Sequence, residues 1–334
     1  MNMKTVRMGP GGPEVPAFGI GAMSFAEFYG PTTEANSYAV LDAAVEAGVV
    51  HIDTSNVYGM GRSEKAIGAW LKANPGARET LHIATKAGIT KDAAGNRCYD
   101  NSSEHLEGEL DGSLSRMGIE QVDLFYVHRR EQARPIEEVT ETLAGLVKKG
   151  KIKSFGFSEI APASLRRAAA VHPVAAVQSE YSLATRFAEL GLVQACKELG
   201  TALVAFSPVG RSLLTDSPIG AEVIAANPFL ATNPRFSEPN LLANLGITEN
   251  FRALAAEMGL PAAGLAIAWL LSRGDHVIPI PGTRSVAHLR ELLSGLSATL
   301  TESDLARIEE VLPVGWAHGD RYSPAQRVGP EYFC

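Results

Sequence analysis

Eight times along the chain, a short run of β-branched or apolar residues gives way to a segment whose apolar residues recur at helical spacing. Parallel strands need long crossovers and a helix is the usual one, so this alternation points to βα units around a parallel sheet. The expected strands are 17–21, 49–53, 81–86, 122–128, 152–158, 175–178, 202–207 and 276–279. Eight such units predict an α/β chain folded as a closed (β/α)8 TIM barrel. Barrels of this kind run past ~250 residues as one domain, so 334 residues do not demand a division. The expectation is one domain over 1–334, with the barrel at 17–293.

The helices show in their spacing and stops. Leu106, Leu110 and Leu114 recur before Gly118, and Val139, Leu143, Leu146 and Val147 precede Gly150. Ile67, Trp70 and Leu71 form a similar stripe after Ser63, read as an N-cap. Residues 5–16, broken by a Pro-Gly cluster, predict a β-hairpin able to plug the barrel floor. About forty residues with four prolines separate the seventh strand from a helix expected at 248–258, a loop length that suggests function. The tail 313–334 carries Trp316, Tyr322, Tyr332 and Phe333 without period and is expected to lie as coil near the active-site mouth.

Composition narrows the function classes. A net charge of -7 and no basic stripe argue against nucleic acid as a partner. The run around Lys148, Lys149 and Lys151 reads as a solvated helix end. Three widely spaced cysteines suggest a reducing compartment. With no signal-peptide pattern and no apolar run near ~20 residues, the expectation is a cytoplasmic protein with no membrane partner.

In a parallel barrel the C-terminal strand ends meet on one face, where barrel active sites sit. Asp53 ends the second expected strand, Lys86 the third and His128 the fourth. Tyr58 follows Asp53 in a turn containing Asn56, Gly59 and Gly61, which can return the phenol to the same mouth. A phenol is a weak acid, but a neighbouring ammonium favours its ionised form; Lys86 can supply that charge and Asp53 can hold Lys86 ionised. His128 can donate to a substrate carbonyl oxygen. Each residue alone has an ordinary structural explanation. Together on one rim they make a site for carbonyl reduction.

Three segments carry a resemblance: Gly48-Val-Val-His-Ile-Asp-Thr-Ser-Asn-Val-Tyr-Gly-Met-Gly-Arg-Ser-Glu64, then Ile83-Ala-Thr-Lys86, then Val122-Asp-Leu-Phe-Tyr-Val-His128. In order and context they resemble the catalytic tetrad of the aldo-keto reductase superfamily. Later segments, Gly150 to Ser158, Ala205 to Gly210 and Ile278 to Arg284, resemble that family's cofactor-binding stretches. The resemblance implies that Asp53, Tyr58, Lys86 and His128 are the catalytic four and that NADPH is the cofactor. No Gly-x-Gly-x-x-Gly lies between an early strand and helix, so no Rossmann site competes.

By resemblance, Ser158 and Gln178 hold the nicotinamide carboxamide, Phe206 stacks on the ring, and Gly21, Met23 and Asp53 add contacts. Ser207, Pro208, Val209, Gly210 and Arg211 would lie along the pyrophosphate, with Gly210 permitting close approach and Arg211 adding charge. Pro281, Gly282, Thr283 and Arg284 open a helix whose amides and guanidinium suit the 2′-phosphate, with His288 as a second basic residue and Glu291 beside the adenine. Two departures from the family pattern are Glu159, where an asparagine often follows the serine, and Leu292, where an asparagine follows the glutamate.

The substrate is expected to be a small-molecule aldehyde or ketone in a hydrophobic, partly aromatic pocket formed by Phe25, Phe28 and Trp316 together with Tyr58 and His128. Pyridoxal, aromatic aldehydes, sugar-like carbonyls and polycyclic ketones all fit these residues, as do monomer and homo-oligomer. A second reading is an NADPH-binding regulatory subunit, since potassium-channel β-subunits resemble the same barrel. A metal-dependent barrel hydrolase is a third, weakened because His51, His82 and His128 form no helical His-x3-His pair; no metal is expected.

Overall fold

β1 (Thr5–Arg7) and β2 (Glu14–Pro16) form the expected antiparallel hairpin, Val6 opposite Val15. Val6, Met8 and Val15 turn inward against Ala84, Leu124, Tyr126, Ala176, Val204 and Ile278, all from strands of the barrel, and so seal its floor. Burying each such large apolar side chain is worth ~1.5–3 kcal/mol. The structure is a computed structural model and describes residues 3–333; Cys334, the end of the expected tail, lies outside the described residues.

The eight barrel strands follow the predicted order: β3 (Gly19–Gly21), β4 (His51–Asp53), β5 (His82–Ala87), then, past a second hairpin of β6 (Ile89–Lys91) and β7 (Arg97–Tyr99), β8 (Val122–Val127), β9 (Ile152–Ser158), β10 (Ala176–Glu180), β11 (Ala202–Phe206) and β12 (Val277–Pro279). All neighbours pair in parallel. The ring closes where the Gly21 amide donates to the carbonyl of Pro281 at 2.9 Å. Gly21 and Gly282 are required by this closure: a Cβ at Gly21 would lie 2.7 Å from the Ile280 carbonyl oxygen, and one at Gly282 would lie 2.7 Å from the Gly21 oxygen.

Helices cover the outside with the apolar stripes read from the sequence; Leu106, Leu110, Ile67 and Trp70 are buried. Three expectations need correction. Ser63 is not an N-cap: the helix Arg62–Ala73 starts after Gly61, which is left-handed, and the Ser63 hydroxyl donates to the Ala22 carbonyl while accepting from Thr54. The helix expected at 248–258 runs Asn240–Glu257, eight residues earlier, because Asn244 and Thr248 turn inward and the buried face continues through Leu241. The forty-residue stretch before it is partly helical, with Ala221–Ala226 and Pro228–Ala231 capped around Asn227. Among the described residues no single helix is long and apolar enough to cross a membrane, and the apolar helix Ala262–Leu271 is packed in the core.

The tail crosses the barrel as coil. Arg321 pairs with Glu159 and Glu180, Glu331 pairs with Arg130 at 3.1 Å, and the Asn233 amide donates to the Arg321 carbonyl. The lysine run sits at a solvated helix end as expected: Lys148 and Lys149 are exposed, and Lys149 and Lys151 make surface pairs with Glu107 and Asp111.

Candidate active site

Register brings the polar strand ends together. Asp53 lies opposite Gly21 and Ala84, Lys86 opposite Tyr126, and Ser158 opposite Gln178. Of these, Gly21, Asp53, Ser158 and Gln178 line one cavity of about 800 Å³ at the C-terminal mouth of the barrel, and Lys86 lies beneath it. Lys86 is fully buried. Its ammonium donates to Asp53, to the Thr54 carbonyl at 2.7 Å and, more loosely, to the Tyr58 hydroxyl at 3.4 Å. The second Asp53 oxygen accepts from the Gln178 amide at 2.8 Å. Burial opposes the charge on Lys86, but Asp53 and Tyr58 carry its pKa above the ordinary value.

Tyr58 behaves differently from the expectation. Burial raises its pKa, and Lys86 pulls against that rise without overcoming it. The phenol therefore keeps its proton at neutral pH, as a proton donor must. The Tyr58 and His128 rings meet edge to face, centroids 5.8 Å apart. His128 is held well below 6.5 by burial and by the charges of Arg129, Lys86 and Arg97, so it is neutral at pH 7. Its Nδ1 lies 3.0 Å from the Ser55 hydroxyl.

The cavity continues along the strand ends past Ser158, Gln178, Phe206, Ser207, Pro208 and Val209 to Pro281, Gly282, Thr283, Arg284, His288 and Glu291. Gly21, Met23 and Phe28 also line it. At its far end the helix Val286–Ser294 begins at Ser285 with no side-chain cap, leaving first-turn amides free for a phosphate. Arg284 is partly occupied, donating to the Pro31 carbonyl at 2.8 Å. Hydroxyl and amide groups beside the catalytic end, a long cleft and open helix amides suit a nicotinamide dinucleotide.

Four expected contacts differ. Phe25 is 3% exposed in the core and does not reach the cavity. Trp316 is likewise buried, its indole donating to the Leu183 carbonyl at 2.8 Å. Tyr322 and Gln326 from the same tail line the mouth instead. Gly210 does not line the cavity; its positive φ of 57° serves the turn. Arg211 lines it, but its charge is spent on Glu180 at 2.7 Å, with Phe229 and Tyr322 each 5.3 Å from the guanidinium.

Glu159 explains its departure from asparagine. One carboxylate oxygen accepts from Ser179 and the Glu180 amide, and the other holds Arg321, so the side chain anchors the tail. Sequence reasoning missed Arg129 and Arg97, both of which line the cavity, and Ser55 beneath His128. The hairpin that carries Arg97 had a readable signal: Asp92 accepts from the Ala94 and Asn96 amides, and Gly95 has a φ of 85°. His51 and His82 meet at 2.9 Å through their Nδ1 atoms.

A closed parallel barrel with a lysine, an aspartate, a tyrosine and a histidine gathered at one mouth defines a class, and the comparisons agree: the aldo/keto reductase family model matches residues 17–313, and the chain belongs to that family. It is an NAD(P)H-dependent oxidoreductase. The chain is 37% identical over 321 residues to "Probable aldo-keto reductase 1" of Glycine max, covering 96% of this chain and 92% of that one. It is 36% identical over 318 residues to "Aldo-keto reductase yakc [NADP(+)]" of Schizosaccharomyces pombe, covering 94% and 93%. The glycerol dehydrogenase AKR11B4 from Gluconobacter oxydans superposes with a TM-score of 0.80 at 25% identity, covering 93% of this chain and 96% of that one.

Proposed function

We propose that the protein reduces an aldehyde or ketone to the alcohol with NADPH, in the cytoplasm, using Tyr58 as proton donor. The observation that carries this is the Asp53–Lys86–Tyr58 relay: a buried cation, fixed by a buried carboxylate, lies 3.4 Å from a phenol that opens on the cavity. The reduced nicotinamide, when bound, supplies the hydride that the carbonyl carbon accepts. The carbonyl π bond is thereby replaced by a C–H and an O–H bond, and the O–H proton comes from Tyr58. Lys86 then stabilises the phenolate left behind. Neutral His128 orients the carbonyl by hydrogen bonding through Nε2, with Nδ1 turned to Ser55.

Ser158 and Gln178 would hold the carboxamide, Phe206 would cover the ring, and the open amides at Val286 with Arg284 and His288 would meet the 2′-phosphate, which favours NADPH over NADH. The NADP(+) in the printed name of the Schizosaccharomyces pombe relative supports that preference. Initial rates with each cofactor against benzaldehyde and an aliphatic ketone test the proposal. Wild type should consume NADPH in preference to NADH, and Tyr58→Phe should lower turnover ~10²–10⁴-fold with the fold intact by circular dichroism. Equal rates in wild type and variant would refute the proton-donor role, and NADPH binding without any carbonyl turnover would favour the regulatory-subunit reading.

A further inference from the structure

Among the described residues four arginines are buried: Arg129, Arg130, Arg211 and Arg235. Three have carboxylate partners. Arg130 pairs with Glu331, and Arg211 and Arg235 with Glu180. Among the described residues Arg129 has none within ion-pair distance; the carboxylate its charge reaches, Glu159, is already held by Arg321. It is 8% exposed, and only its Nη1 is used, donating to the His128 carbonyl at 2.6 Å and to the Ser158 hydroxyl at 3.0 Å. The rest of the guanidinium is free where it lines the cavity. A buried charge without a counter-ion is costly, and proteins ordinarily pair it.

Arg97 approaches the same place from the second hairpin. It is exposed, lines the cavity and has no carboxylate within ion-pair distance among the described residues. Its guanidinium lies 5.7 Å from the Tyr99 ring. Both guanidiniums depress the pKa of His128, so their fields converge on the catalytic end. Asp53 lines that end too, but its charge is matched by Lys86. The two arginines thus leave a local excess of positive charge beside apolar walls from Val57, Ile89 and Phe28.

Resting on the reductase reading, we propose that the cavity selects carbonyl substrates carrying a carboxylate, held by Arg129 and Arg97 while the carbonyl oxygen lies against Tyr58 and His128. The planar fork of a guanidinium matches a carboxylate in two parallel hydrogen bonds, and the substrate supplies the anion that Arg129 lacks. An apolar or aromatic spacer between the two groups would meet Val57, Ile89 and Phe28. The cavity is then not simply hydrophobic, as the sequence suggested, but apolar with one cationic corner.

The test compares 4-carboxybenzaldehyde with the methyl ester of the same acid, using NADPH and intact protein. A charge-assisted hydrogen bond is worth ~1.5–3 kcal/mol, so kcat/KM should favour the acid by ~10–100-fold, mainly through KM, and the advantage should shrink as salt rises. Arg97→Gln, on an exposed hairpin position, should lower the acid-to-ester ratio several-fold, and Arg129→Gln should bring it close to one. A wild-type enzyme that reduces the ester as well as the acid, or a ratio unmoved by both substitutions, overturns the subsite while leaving the reductase reading intact. Absence of turnover with both aldehydes overturns the two together.

Discussion

Two clusters of buried charge are built on this barrel, and they are finished differently. In the tail anchor every carboxylate oxygen has a partner: Glu159 takes Ser179, the Glu180 amide and Arg321, while Glu180 takes Thr185 and Arg211. In the catalytic cluster, Asp53 is satisfied by Lys86 and Gln178, yet the phenol of Tyr58 is tied only at 3.4 Å and faces the cavity. A network whose carboxylate oxygens are all taken does structural work. A network with one loosely held proton at its open end can do chemistry. Arg129 belongs to the second kind, because its guanidinium is only half used.

The largest difference between the two clusters is expected at Lys86. Lys86→Met strands Asp53 without its cation, and breaking a buried pair costs ~3–5 kcal/mol. Urea denaturation should show that loss, and carbonyl turnover should fall by ~10²–10⁴ at a temperature where the variant is still folded. Retained turnover would mean that the phenol works without the ammonium.

Arg321→Met probes the other cluster and should separate stability from chemistry. The variant should lose about 3 kcal/mol of stability, while kcat, measured where it is folded, changes little. The pH dependence gives an independent check. Glu159 is buried, which raises its pKa, but Arg321 pulls it below 4.5 overall. A carboxyl depressed in the folded state contributes stability above its unfolded pKa and loses it as pH falls through the folded value. Wild type should therefore weaken on acidification below about pH 4.5, and the variant should weaken less over that window. Identical acid profiles would remove Arg321 from the account.

The smallest expected effect is at Ser55. Its hydroxyl, 3.0 Å from His128 Nδ1, can fix the tautomer that presents Nε2–H to a substrate. Ser55→Ala should lower kcat by about ten-fold with the cofactor KM unchanged. Nitrogen NMR of the imidazole should show a changed tautomer population; an unchanged spectrum would leave Ser55 a packing residue.

The catalytic four were legible because each lies at, or one short turn beyond, the end of a short apolar run that marks a parallel strand buried on both faces. The tail was not, because a coil has no period to fix which aromatic faces inward: Trp316 went to the core and Tyr322 to the mouth. Arg129 and Arg130 show the same limit at neighbouring positions. Which of the two enters the cavity depends on Glu331, some two hundred residues away, which takes Arg130. Phe25 and Phe28 divide similarly, since the amide of Asn227, in the long insertion, grips the Phe28 backbone and leaves Phe25 below the rim.

The hairpin under the barrel has a consequence for traffic. With Val6, Met8 and Val15 stopping the lower end, molecules can come and go through the upper doorway alone. Every ligand of the barrel therefore shares one side of the molecule with solvent, and the floor contributes rigidity and no route.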